Sequence, residues 1–102
     1  MRLTSNEINI IKNCFQAQFG TNDHLWLFGS RADDNARGGD IDLYIETESP
    51  TLKEAFDKKF EFILSLNLQL GEQKIDVVLN VLALKHDQPI YLIAKETGTQ
   101  LV

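Results

Sequence analysis

The sequence predicts a mixed α/β (α+β) fold, a single mixed β-sheet of at least three strands flanked by helices, in the order α-β-β-α-β-α. Three observations carry this. Two segments place apolar residues at steps of three and four behind helix-capping signals. Leu25–Phe28, a short continuous apolar run, reads as a buried strand, and Ile75–Leu79, apolar except for Asp76, as another strand. Between them Asp40–Glu46 alternates strictly, with Ile41, Leu43 and Ile45 on one face and Asp40, Asp42, Tyr44 and Glu46 on the other.

The first helix opens at Thr4, with Glu7 at capping-box spacing, and its stripe is Ile8, Ile11, Phe15 and Phe19. Gly20 and Thr21-Asn22-Asp23 stop it and turn the chain. Cys14 lies beside the stripe with no helper residue in view, so it reads as a core packer. After the first strand a polar stretch, Arg31 to Gly39, runs without periodicity to the alternating strand. Ser49-Pro50 and the pair Thr51, Glu54 open the second helix, with Pro50 placed in its first turn. Leu52, Ala55, Phe56, Phe60, Ile63 and Leu64 are expected to be its core-facing stripe, ending before Gly71. Lys74 to Leu79 forms the third strand, and Pro89 to Glu96 a short last helix ending near Gly98.

At 102 residues and 11.6 kDa the chain is expected to form one domain over residues 1–102. With 43% apolar and 25% charged residues it excludes disordered, collagen-like and disulfide-stapled classes. No apolar run approaches the roughly 20 residues of a membrane span. The start MRLTSNEINI lacks signal-peptide character, and Cys14 is the only cysteine, so a reducing cytoplasm is the expected location.

Charge is concentrated. Between Asp23 and Glu48 seven acids face two bases, Arg31 and Arg37, while the other 76 residues carry eight of each. The segment therefore holds the whole net charge of −5. No basic stripe is present to neutralise a nucleic acid. An acidic stretch is either a solvated loop or a cation site.

Asp40 and Asp42, two apart on a strand, project from one face with alpha carbons about 6.6 Å apart. Alone they fit a metal site or the wet face of an edge strand equally well. Asp76, inside the run Ile75-Asp76-Val77-Val78-Leu79, is expected to be a buried carboxylate that needs a partner or a metal. Three aspartates from two neighbouring strands suit one or two hard cations such as magnesium. Gly29-Ser30, where the first strand ends, offers amides and a hydroxyl to a phosphate. Arg31 can steer phosphate oxygens or pair with Asp33 or Asp34, and for Arg37 a surface role is the stronger of the two. Tyr44 either lines a cleft beside the aspartates or lies exposed, Trp26 reads as core, and His24 and His86 as turn or surface residues. No Gly-Lys-Ser/Thr phosphate loop and no Gly-x-Gly-x-x-Gly are present.

Leu27-Phe28-Gly29-Ser30-Arg31-Ala32, Gly39-Asp40-Ile41-Asp42-Leu43 and Ile75-Asp76-Val77-Val78 together resemble the small nucleotidyltransferases of the DNA polymerase β superfamily, in particular the minimal nucleotidyltransferase (MNT) proteins. The resemblance covers nearly the whole chain. It departs from many relatives at Ala32-Asp33-Asp34, where an Arg-Gly often follows, and at Gly39, where a serine often stands. The resemblance implies a polymerase β-like nucleotidyltransferase fold. It implies that Gly29 and Ser30, with Arg31 beside them, bind the phosphates of ATP. Asp40 and Asp42 would bind both of two magnesium ions, and Asp76 the catalytic one beside the attacking hydroxyl. The implied reaction is transfer of AMP from ATP to an acceptor hydroxyl. The implied acceptor is a tyrosine on a small helical HEPN-domain toxin, in a hetero-oligomer where this chain acts as antitoxin. Two other readings stay open: a non-catalytic antitoxin that inhibits by binding, and the catalytic subunit of a two-part enzyme that nucleotidylates a small molecule.

Overall fold

The computed structural model describes residues 3–29, 40–71 and 73–102. Ser30, Arg31 and Arg37 lie outside the described residues, as do Asp33 and Asp34.

Helix α1 spans Ser5–Gln18 and begins with the expected capping box. The Glu7 amide donates to the Thr4 hydroxyl at 3.1 Å, and the Thr4 amide donates to the Glu7 carboxylate at 3.0 Å. Ile11, Cys14 and Phe15 are buried, and so is Phe19 just past the helix end. Gln69 donates to the Cys14 sulfur at 3.3 Å, and burial pushes that thiol above its usual pKa. A buried, unactivated thiol is a packing group.

Strands β1 (His24–Phe28), β2 (Ile41–Thr47), β3 (Ile75–Val81) and β4 (Thr99–Gln100) form one sheet in the order β3-β2-β1-β4. β1 is antiparallel to β2 and β4, whereas β2 and β3 are parallel. A parallel pair needs a crossover, supplied by helix α2, Leu52–Leu70. Helix α3 follows at Pro89–Thr97, with Pro89 in its first turn. β4 has no sequence signal because two residues cannot show a period. It is held by backbone bonds that continue beyond it, from the Leu101 amide to the Leu25 carbonyl (2.8 Å) and from the Leu25 amide to the Val102 carbonyl (3.1 Å).

The two faces of the sheet are covered differently. Leu25, Leu27, Ile41, Leu43 and Ile45 pack under α1 and α2 with Phe15, Phe19, Phe62 and Leu66. Phe15 and Phe19 stack at 4.8 Å between centroids, and both meet Phe62 edge-on. On the other face Trp26 and Tyr44 pack with Ala94 and Tyr91 of α3. Among the described residues α3 packs on the Trp26 and Tyr44 part of this face, and the aspartates stand beyond it.

Two expectations for α2 are corrected. The buried positions are Ala55, Phe62 and Leu66, while Leu52, Phe56, Phe60 and Leu64 are exposed. Steps of four overshoot the 3.6-residue turn by about 40° each, so that row winds away from the core side. Pro50 is not in the first turn; it precedes the N-cap Thr51, whose hydroxyl accepts from the Glu54 amide at 3.2 Å. Gly71 ends the helix at φ 83°, a conformation glycine adopts without a Cβ penalty. Among the described residues no helix is long and apolar enough to cross a membrane.

Candidate active site

Alternation along β2 puts Asp42, Tyr44 and Glu46 on the face opposite the main core, and the parallel register sets Asp76, Val78 and Asn80 directly across from them. Asp42 and Asp76 are therefore neighbours. Burial, then the negative charges of Asp76 and Asp40, hold the Asp42 carboxyl above its usual pKa. Lys74 pulls the other way. Its ammonium lies 3.6 Å from Asp40, which sits just before β2 at the rim of the group.

Asp76 is not buried as expected. β3 is the edge of the sheet, so a polar residue on it meets solvent even within an apolar run. The convergence with Asp42 stands on register instead of burial. Among the described residues no three acidic, histidine or cysteine side chains close on a common point as they stand. The centre is the pair Asp42–Asp76, with Asp40 beside it on Lys74.

Gly29 belongs to the same cluster for a reason the sequence did not show. It follows Phe28, the β1 partner of Asp42, and has φ 72°. A Cβ at Gly29 would run into the Asp42 carboxylate. Only glycine lets the chain turn here while the carboxylate keeps its place. Ser30 and Arg31, expected beside it, lie outside the described residues.

Two other acids of the charged segment, Asp23 and Glu46, have partners of their own. Asp23 is buried and closes a turn, accepting from the Gly20 amide (2.9 Å), the Thr47 hydroxyl (3.0 Å) and the Glu48 amide (2.8 Å). Glu46 accepts the Tyr44 hydroxyl proton at 2.8 Å and pairs with Lys95 at 3.2 Å. Tyr44 in turn accepts from the Asn80 amide at 3.0 Å. Burial holds the Tyr44 hydroxyl far above its usual pKa, so it stays protonated.

A cleft of about 520 Å³ opens over this network, lined among others by Tyr44, Glu46, Asn80, Tyr91 and Lys95. It begins one same-face position along β2 from Asp42. Tyr44 is thus both buried and part of the cleft wall. Its ring stacks on Tyr91 at 5.5 Å and tilts against Trp26 at 5.3 Å, over which Lys95 lies at 5.2 Å. Asn80, Tyr91 and Lys95 were not singled out from the sequence. Asn80 shares the parity of Asp76 along β3, and Tyr91 and Lys95 are four apart on one helix face; those spacings were the available signals.

The donor set at Asp42 and Asp76 fits a hard divalent cation. It offers only carboxylate oxygens, and burial together with the neighbouring negative charges raises the Asp42 pKa.

A mixed four-stranded sheet with two aspartates paired across β2 and β3, and a glycine turn against one of them, defines a polymerase β-like nucleotidyltransferase fold. The family model for the nucleotidyltransferase domain matches residues 8–98, and the chain belongs to that family. No curated protein matches it.

Proposed function

We propose that the chain is a magnesium-dependent nucleotidyltransferase that moves AMP from ATP to an acceptor hydroxyl. Its family membership supports a transferase of nucleotidyl groups. The observation that carries the finer reading is the Asp42–Asp76 pair with Gly29 packed against it. In this reading Asp40, Asp42 and Asp76 hold magnesium, with Asp40 released from Lys74, and Gly29, Ser30 and Arg31 bind the triphosphate. Magnesium, when bound, offsets the negative charge of phosphates and leaving pyrophosphate. The acceptor oxygen forms a bond to the α-phosphorus, the bond from that phosphorus to the bridging oxygen breaks, and pyrophosphate leaves. The acceptor proton passes to or near Asp76. Tyr91, Glu46 and Asn80 give the neighbouring cleft one aromatic wall and two polar groups, which suits the nucleoside half of ATP.

The acceptor we propose is a hydroxyl, on a tyrosine, of a helical HEPN-type toxin that this chain silences as an antitoxin in the cytoplasm. That part rests on the resemblance to the MNT proteins. ATP labelled at the α-phosphate, incubated with this chain and such a protein, should leave labelled AMP on the partner. D40N/D42N should abolish labelling. Full neutralisation by D40N/D42N, with no AMP on the wild-type complex, would favour inhibition by binding. Label on a small hydroxylated molecule alone would favour the two-part enzyme.

A further inference from the structure

We infer that α2 pairs with α2 of a second copy of this chain. Leu52, Phe56, Phe60, Leu64 and Leu68 are exposed by 46, 54, 66, 44 and 79% respectively. They are spaced by four and so form one continuous i+4 ridge on a single helix. The ridge does not face the rest of the molecule. Lys58 reaches Ser49, Phe62 packs on Phe15, and Gln69 reaches Cys14, so those positions look toward α1 and the segment between β2 and α2. At 100° per residue Phe60 points roughly half a turn away from them.

Three features select a second copy as the occupant. The first is symmetry. An isologous interface needs a surface that complements itself about a two-fold axis. The ridge is centred on Phe60, so an axis there sets Phe60 against its own counterpart, Phe56 against Leu64 and Leu52 against Leu68. The second is charge. The chain carries −5, but α2 holds three bases (Lys53, Lys58, Lys59) and three acids (Glu54, Asp57, Glu61), so this face does not repel its copy. The third is area. At about 200 Å² for a large apolar side chain, the ridge leaves roughly 580 Å² exposed, at the top of the range for a monomer's largest patch. Two ridges together give roughly 1,150 Å², which stands at the lower edge of the area that stable pairs bury, about 1,200–2,000 Å².

The pairing is independent of the nucleotide chemistry. α2 covers the sheet face opposite Asp42 and Asp76, so the second copy leaves the carboxylates and the cleft open.

Sedimentation or light scattering on the purified chain at micromolar concentration tests this. The wild type should have twice the 11.6 kDa chain mass, and F60E should have the single mass with an unchanged far-UV spectrum. Phe60 is exposed, so a charge there does not enter the core. I93E, on the exposed side of α3, should remain paired. In a second readout, F60C in a C14S background should form an intermolecular disulfide under mild oxidation, since an axis at Phe60 brings the two positions together, and I93C should not. A wild type of single mass overturns the inference, as does a paired F60E, or I93C cross-linking as fast as F60C. A chain that is single alone and uses Phe60 only to hold a different protein also overturns it.

Discussion

Asp76 stands directly across the β2–β3 ladder from Asp42, and its negative charge helps hold the Asp42 carboxyl, already raised by burial, above its usual pKa. The parallel pairing makes this a consequence of register. A shift by one residue in β3 would send Asp76 into the core under α2 and bring Ile75 or Val77 to the open face. The same register lines up Tyr44 with Val78 and Glu46 with Asn80, so one strand pairing sets both the acidic pair and the floor of the adjoining cleft.

Asp42 carries a stability penalty of its own. Its folded pKa is raised by burial and by the charges of Asp76 and Asp40. A raised acid stabilises the fold only below its unfolded pKa of about 3.9, and that contribution is lost as pH rises through the folded value. In a chelator D42N should therefore melt above the wild type at pH 7, with the gap closing as pH falls toward 4. Melting curves across that range check this; a variant that melts lower at pH 7 contradicts it.

Gly29→Ala introduces a Cβ at φ 72° that meets the Asp42 carboxylate. The backbone conformation alone should cost about 1–3 kcal/mol. Denaturant unfolding should show that loss, and ATP binding should fall with it because Asp42 must move. Full stability with full binding would mean that the turn relaxes freely.

Tyr44→Phe removes a hydroxyl that accepts from Asn80 and donates to Glu46. The Asn80 amide is left buried without that partner, at a cost of about 1–3 kcal/mol. Y44F/N80L should recover part of the loss in chemical denaturation, which separates the unpaired amide from simple loss of packing.

Tyr91→Ala tests the nucleoside assignment of the cleft. It should weaken magnesium–ATP at least several-fold and leave magnesium–tripolyphosphate unchanged, since the latter lacks base and ribose. Calorimetry on both ligands reads the difference. Equal weakening would place Tyr91 beside the phosphates instead.

Strands β1 to β3, the three helices and the meeting of Asp42 with Asp76 are legible in the sequence because period-2 alternation in β2 and a lone aspartate in β3 survive without tertiary knowledge, whereas the two-residue β4 is not. The burial of Asp76 is not, because an apolar run looks the same on a central strand and on an edge. The α2 stripe misleads for a related reason. Periodicity finds apolar rows, but Phe62 and Leu66 form a second row, and only the position of α1 selects between them. Gly29 is recognisable as a turn glycine. That its missing side chain makes room for Asp42 depends on the antiparallel pairing of Phe28 with Asp42.

In the proposed mechanism the aspartates hold nucleotide through a divalent cation. ATP binding measured by calorimetry, with magnesium and then with a chelator, on the wild type and on D42N/D76N, tests it directly. The account predicts tight binding only for the wild type with magnesium, and at least a hundredfold loss in each of the other three conditions. Equal binding with chelator, or by the double variant, would contradict it and would leave the phosphates to bases such as Arg31.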